Sequence, residues 1–98
     1  MTALAGVDVG TTTAKGVAID EGGAVLASVE AAYELLVPRP GWTEQDPDDW
    51  WAAASVVLAE LEAAAGPLGG IGLTGQMHGL VALDGGDRPL RPAILWND

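Results

Sequence analysis

The residues best suited to chemistry lie near the start, in Val7-Asp8-Val9-Gly10-Thr11-Thr12-Thr13-Ala14-Lys15. An apolar run delivers a carboxylate, a glycine permits a sharp bend, three hydroxyls follow, and a second apolar run carries a lysine. Backbone N–H groups exposed at such a bend form an anion-binding concavity, to which the Thr hydroxyls add donors. A carboxylate beside bound phosphate can hold a hard cation directly or through water. A plain hairpin turn would use the same residue types, so the rest of the chain must decide. The second unusual stretch is Gly75-Gln76-Met77-His78-Gly79, where two glycines admit close backbone approach and the middle offers an amide, an apolar surface and an imidazole. A glycine-rich bend with a satisfied histidine is the plain alternative there.

These stretches need strands to aim them. Leu4 to Val9 reads as a first strand and Lys15 to Ile19 as a second. Alternation sets Lys15, Val17 and Ile19 on one face. Both are apolar at nearly every position, which predicts covering on two sides. Asp20-Glu21-Gly22-Gly23 turns the chain into a third strand over Ala24 to Tyr33, completing an antiparallel meander. Leu36 to Pro47 reads as a loop, broken by Pro38 and Pro40. Asp46 is placed to cap a helix over Pro47 to Ala65, with Pro47 in its first turn and Asp48 and Asp49 at its positive end. Trp51, Ala54, Leu58, Leu61 and Ala65 form its apolar stripe; Gly66 and Pro67 end it. Gly70 to Thr74 then reads as a fourth strand, parallel to the first through a right-handed crossover. A hairpin over Leu80 to Leu90 and a last strand over Ala93 to Trp96 follow. In open α/β sheets ligands gather at the carboxyl ends of strands, so the two unusual stretches should open onto one cleft.

Composition narrows the class. With 98 residues and a hydrophobic fraction of 49%, the chain can form one modest domain. Four basic against fourteen acidic residues give a formal charge of −10, which repels phosphate backbones and argues against nucleic acid as a partner. Cysteine is absent and His78 is the single histidine, so thiolate chemistry and a usual zinc site are excluded. No basic leader precedes the first strand and no apolar run nears a membrane span, so we expect no membrane association and a cytoplasmic protein. There is no fixed-period repeat. The chain stops after an apolar strand with nothing following to cover it, which suggests a fragment and an edge open to a second copy, as in a homodimer.

Together, Asp8-Val9-Gly10-Thr11-Thr12-Thr13-x-Lys15, Trp42-x-Glu44-Gln45-Asp46-Pro47-x-x-Trp50, Gly75-Gln76-Met77-His78-Gly79 and Arg91-Pro92-Ala93-Ile94-Leu95-Trp96-Asn97-Asp98 resemble, in order, the opening of the D-xylulose kinases of the FGGY carbohydrate kinase family. The resemblance implies an α/β ribonuclease H-like (actin-like ATPase) fold with strand order 3-2-1-4-5, of which residues 1–98 would be the first part of the first domain. It implies transfer of the ATP γ-phosphoryl group to D-xylulose with Mg²⁺. Asp8 would lie near metal and phosphate, the latter held by Gly10, Thr11, Thr12 and Thr13, with Lys15 as further positive charge. Gln76, Met77 and His78 would meet the sugar, and Asn97 and Asp98 would border its pocket. Trp42 to Trp50 would be structural. The general base of the family is an aspartate further downstream, so these residues alone are expected to be inactive. A kinase for gluconate, ribulose or glycerol and a non-catalytic assembly module are the competing readings.

Overall fold

The computed structural model describes residues 2–98. Strands β1 (Ala3–Val9), β2 (Thr13–Ile19) and β3 (Val25–Ala32) form the expected meander. Helix α1 (Pro47–Ala65) crosses back, and β5 (Leu68–Gly75) runs parallel to β1 in a sheet of order β3-β2-β1-β5. The sheet thus matches the first four positions of the implied order, and it has no fifth strand among the described residues.

The start of α1 follows its sequence. The Asp46 carboxylate accepts from the Asp48 N–H at 2.9 Å, Pro47 opens the helix, and Asp48 and Asp49 occupy its first turn. Such a cap uses an extended residue to satisfy a donor that the helix leaves unpaired. At the far end Gly66 takes φ 84°, and its N–H reaches the Glu62 carbonyl.

The core lies between α1 and one face of the meander. That face carries Ala5 and Val7 of β1, Ala14 and Ala18 of β2, and the partly buried Ala27, Val29 and Ala31 of β3. Against it α1 presents Ala53, Val57 and Leu61, buried at i, i+4 and i+8. Burying Val57 and Leu61 contributes roughly 1.5–3 kcal/mol each. Of the stripe expected from sequence, Leu58, Leu61 and Ala65 pack on the core, but Trp51 is 75% exposed. Trp51 instead lines an open groove with Trp50, Ala54 and Leu58 of α1 and Leu73 and Gly75 of β5. Meanwhile β2 offers α1 only Ala14, Gly16 and Ala18, so the helix sits close to the sheet. Gly16 shows how close: a Cβ there would fall 2.3 Å from Val57 Cγ1 and 2.8 Å from Leu61 Cδ1.

Other expectations need correction. The apolar strands are covered on one face only among the described residues; Leu4, Asp8 and Lys15 on the opposite face are exposed. The stretch before α1 is not all loop, because β4 (Glu44–Gln45) pairs antiparallel with β6 (Ala93–Ile94). The final apolar segment is therefore neither uncovered nor an open strand edge along its length: Ala93 and Leu95 are buried, and Leu80 bridges Ile94. This removes the reason to expect strand-edge pairing with a second copy. The hairpin over Leu80 to Leu90 is reduced to a bridge between Leu83 and Pro89 around an Asp84 turn, where Gly86 and Arg88 N–H groups donate to the Asp84 carboxylate.

Gly16→Ala should destabilise the fold by about 1–3 kcal/mol through overpacking, read by denaturant unfolding. Adding Val57→Ala should make the pair cost less than the sum of the two single changes. Strict additivity would mean that the helix does not bear on Gly16.

Candidate active site

Parallel pairing sets Asp8 opposite Thr74 and Val9 opposite Gly75, so β1 and β5 end at the same edge of the sheet. The turn after β1 and the loop after β5 emerge side by side. Asp8, Gly10, Thr11, Gly75, Gln76, Met77, His78 and Trp96 line one cleft of about 430 Å³. The two stretches singled out by residue type thus share a cavity.

The β1–β2 turn is tight, with the Gly10 N–H donating to the Thr13 carbonyl at 2.9 Å. Its carbonyls are all tied back into the protein. The Tyr33 hydroxyl donates to the Gly10 carbonyl and, at 3.1 Å, to that of Thr13. The Tyr33 N–H donates to the Thr12 carbonyl at 3.1 Å. The Gln45 carboxamide donates to the Thr11 carbonyl. Gln76 Nε2 approaches the Gly10 carbonyl at 3.4 Å and donates to Gln45 Oε1 at 3.0 Å, and the Trp50 indole N–H donates to the same Oε1 at 2.8 Å. The Thr11 and Thr12 N–H groups have no protein acceptor among the described residues.

Asp8 is exposed at the end of β1, and its Oδ1 accepts from the Thr74 hydroxyl at 2.6 Å. Its Oδ2 lies beside Gly10, 3.5 Å from where a Cβ would be built. Among the described residues no three His, Cys, Asp or Glu side chains gather to hold a metal. A cation at Asp8 would therefore take its other ligands from water and phosphate, the coordination Mg²⁺ favours.

His78 adopts φ 61°, a left-handed conformation unusual away from glycine. His78 and Met77 are both exposed and both line the cleft.

Other expected site residues are not among those lining that cleft. Lys15 pairs with Asp8 across β1 and β2, exposed on the uncovered face of the sheet. Thr12 is exposed at the tip of the turn and Thr13 begins β2. The Asp98 carboxylate accepts the Thr43 N–H at 2.8 Å, and the Asn97 carboxamide oxygen accepts the Thr43 hydroxyl at 2.7 Å. Both hold the segment before β4 and line none of the cleft. Tyr33, Gln45, Trp50, Thr74 and Trp96 were not expected at the site. For Gln45 a signal existed, an uncharged polar residue between a glutamate and a helix cap in a stretch otherwise taken as structural. Beside it, buried Glu44 pairs with Arg91.

Burial, and secondarily the Asp8 carboxylate, push the Tyr33 hydroxyl above its ordinary pKa of 10.0. Because ionisation is harder in the folded state, this contribution to stability is intact below pH 10.0 and is lost as pH rises beyond it. Tyr33 is the only tyrosine, so phenolate absorbance reports it directly. The midpoint should lie above 10.0 and fall part of the way back in Asp8→Asn. A midpoint at the ordinary value would contradict the burial of that hydroxyl.

A family model described as the FGGY family of carbohydrate kinases, N-terminal domain, matches residues 3–98. The chain is 41% identical over 102 residues to a xylulose kinase of Lactococcus lactis, covering 100% of this chain and 20% of that relative. The crystal structure of a xylulose kinase from Rhodospirillum rubrum superposes with a TM-score of 0.93 at 38% identity, over 98% of this chain and 20% of that one. A gluconate kinase from Lactobacillus acidophilus superposes with a TM-score of 0.89 at 33% identity, over 99% of this chain and 20% of that one. The chain thus spans about 20% of the length of the relatives it matches.

Proposed function

The chain belongs to the FGGY family of carbohydrate kinases, and from that premise we propose that it forms the opening part of the first domain of an ATP-dependent sugar kinase. The full-length protein would transfer the γ-phosphoryl group of ATP to a hydroxyl of D-xylulose, yielding ADP and D-xylulose 5-phosphate. The observation that carries this reading is the single cleft shared by Asp8, Gly10 and Thr11 on one side and by Gln76, Met77 and His78 on the other. Phosphoryl transfer needs two substrates aligned and charge neutralised at the phosphate, with little covalent work for the protein. The wall carrying free N–H groups suits the phosphate, and the amide, thioether and imidazole suit a polyol.

In this mechanism the Thr11 and Thr12 N–H groups bind phosphate oxygens, supplemented by the hydroxyls of Thr11, Thr12 and Thr13. Asp8, oriented by Thr74, would hold Mg²⁺ through water, and that ion would neutralise charge on the phosphates. Gln76, Met77 and His78 orient the sugar. Lys15 adds positive charge from the open face of the sheet rather than from the cleft. The residue that removes the proton of the attacking hydroxyl belongs to the rest of the polypeptide. Asn97 and Asp98 follow Trp96, which lines the cleft, and brace Thr43.

The named relatives favour D-xylulose over other sugars. A gluconate kinase shares the same sheet and loops, so in this reading the choice of sugar falls to side chains such as Gln76, Met77 and His78.

In the full-length protein, Asp8→Ala should lower turnover by about 100-fold or more while D-xylulose still binds, measured by steady-state kinetics and calorimetry. Turnover like the wild type would remove Asp8 from the mechanism. His78→Ala should raise the KM for D-xylulose more than that for ATP; an unchanged sugar KM would sink the sugar-loop assignment.

A further inference from the structure

We infer that Gln45 is a positioning residue for phosphoryl transfer: its buried carboxamide aims the Thr12 N–H at the phosphate and ties the turn that holds it to the sugar loop. The inference rests on the phosphate-binding reading of that turn.

A trans peptide points its C=O and its N–H in opposite directions, and the described residues have no cis peptide bonds. Fixing the Thr11 carbonyl therefore fixes the Thr12 N–H, since the two share one peptide plane. The Thr11 carbonyl is held by Gln45 Nε2. In the preceding plane, Tyr33 and Gln76 hold the Gly10 carbonyl and so set the Thr11 N–H. With each carbonyl drawn toward the protein, the paired N–H faces away from it, without a protein acceptor.

Gln45 is fully buried, at 0% exposure, and its orientation is fixed by its partners. Two N–H donors, from Trp50 and Gln76, converge on one end of its carboxamide. That end must be the oxygen, because an NH₂ group cannot accept. The other end, the NH₂, is then committed to the Thr11 carbonyl. A half-turn of the amide would leave two donors facing donors and a carbonyl facing a carbonyl. A buried polar group costs most when it loses its partner, so the amide is locked in one orientation.

The same contacts join the two substrate elements. The path runs from the Thr11 carbonyl through the Gln45 carboxamide to Gln76 Nε2, one residue before Met77. Gln76 Oε1 is buried without a partner, so among the described residues the hydrogen bonds of that side chain are those to Gln45 and the Gly10 carbonyl.

The test uses the full-length enzyme and the near-isosteric Gln45→Glu and Gln45→Met. An ionised carboxylate has acceptors only, so it repels the Thr11 carbonyl; once protonated it regains a donor and a separate acceptor. Burial raises the pKa of such a carboxyl. In Gln45→Glu, kcat/KM for ATP should fall roughly 10–100-fold at neutral pH. Relative to the wild type it should recover as pH is lowered. Gln45→Met should show a comparable loss with no recovery, and the dissociation constant for D-xylulose should change less than the ATP parameters in both. All comparisons are made where circular dichroism matches the wild type. Should neither variant fold, Trp50→Phe, which removes one of the two donors orienting the amide, should give a smaller loss selective for ATP. ATP kinetics like the wild type in the folded variants, or equal losses toward both substrates with no pH-dependent recovery, would overturn the role of Gln45. A wild-type enzyme with no ATP-dependent sugar phosphorylation would overturn the kinase reading itself and this inference with it.

Discussion

The approach of α1 to β2 at Gly16 sets the dimensions of everything else. With no side chain at Gly16 and only methyl groups at Ala14 and Ala18, Val57 and Leu61 settle directly onto the sheet. That contact fixes the height of the helix, and so the height of its first turn. Trp50 and the Asp46 cap lie in or beside that turn, and Gln45 immediately precedes it. A helix raised by even one methyl layer would carry Trp50 and Gln45 away from the Gly10–Thr13 turn. Hydrogen bonds near 3 Å tolerate little such displacement. Packing at one end of the sheet and polar geometry at the other are thus one constraint.

That coupling explains the unequal distribution of polar groups. Among the described residues the buried core between α1 and the sheet is alanine, valine and leucine, whereas Gln45, Gln76 and Tyr33 cluster where the strands end. Buried amides are costly unless paired, and pairing them in a network makes the arrangement specific. The β4–β6 ladder, the Glu44–Arg91 pair and the contacts of Asn97 and Asp98 with Thr43 brace this cluster from the far side. They do so through residues more than forty positions away in the chain.

Much of the fold could be read from residue pattern because its signals are local. Asp46-Pro47 states a helix start, Gly66-Pro67 states its end, and the Asp20 to Gly23 turn states a hairpin. The cleft was legible for a different reason: a parallel crossover obliges two strands to end at one edge. What escaped the sequence were features that depend on a partner distant in the chain. Trp51 satisfies helical periodicity, yet the folded helix turns Ala53, Val57 and Leu61 to the sheet and leaves Trp51 on an open groove beside β5. Glu44-Gln45 is too short to read as a strand until Ala93-Ile94 lies beside it. Tyr33 looks like the end of a strand, and only the folded meander brings its hydroxyl to the Gly10 carbonyl. The hydrogen bond from the Thr43 N–H to the Asp98 carboxylate likewise joins residues 55 positions apart.

The parallel ladder between β1 and β5 has a consequence for the order of assembly. The meander joins neighbours in sequence, whereas Asp8 and Thr74 meet across 66 residues. Loop-closure entropy must be met before such a distant pairing brings any gain, and contacts of this range slow folding. The hairpins and α1 are therefore expected to form first, with β5 joining last. Until it does, Asp8 lacks Thr74, Gln45 lacks Gln76, and the cleft has only one wall. The cleft is among the last parts of the chain to acquire a shape.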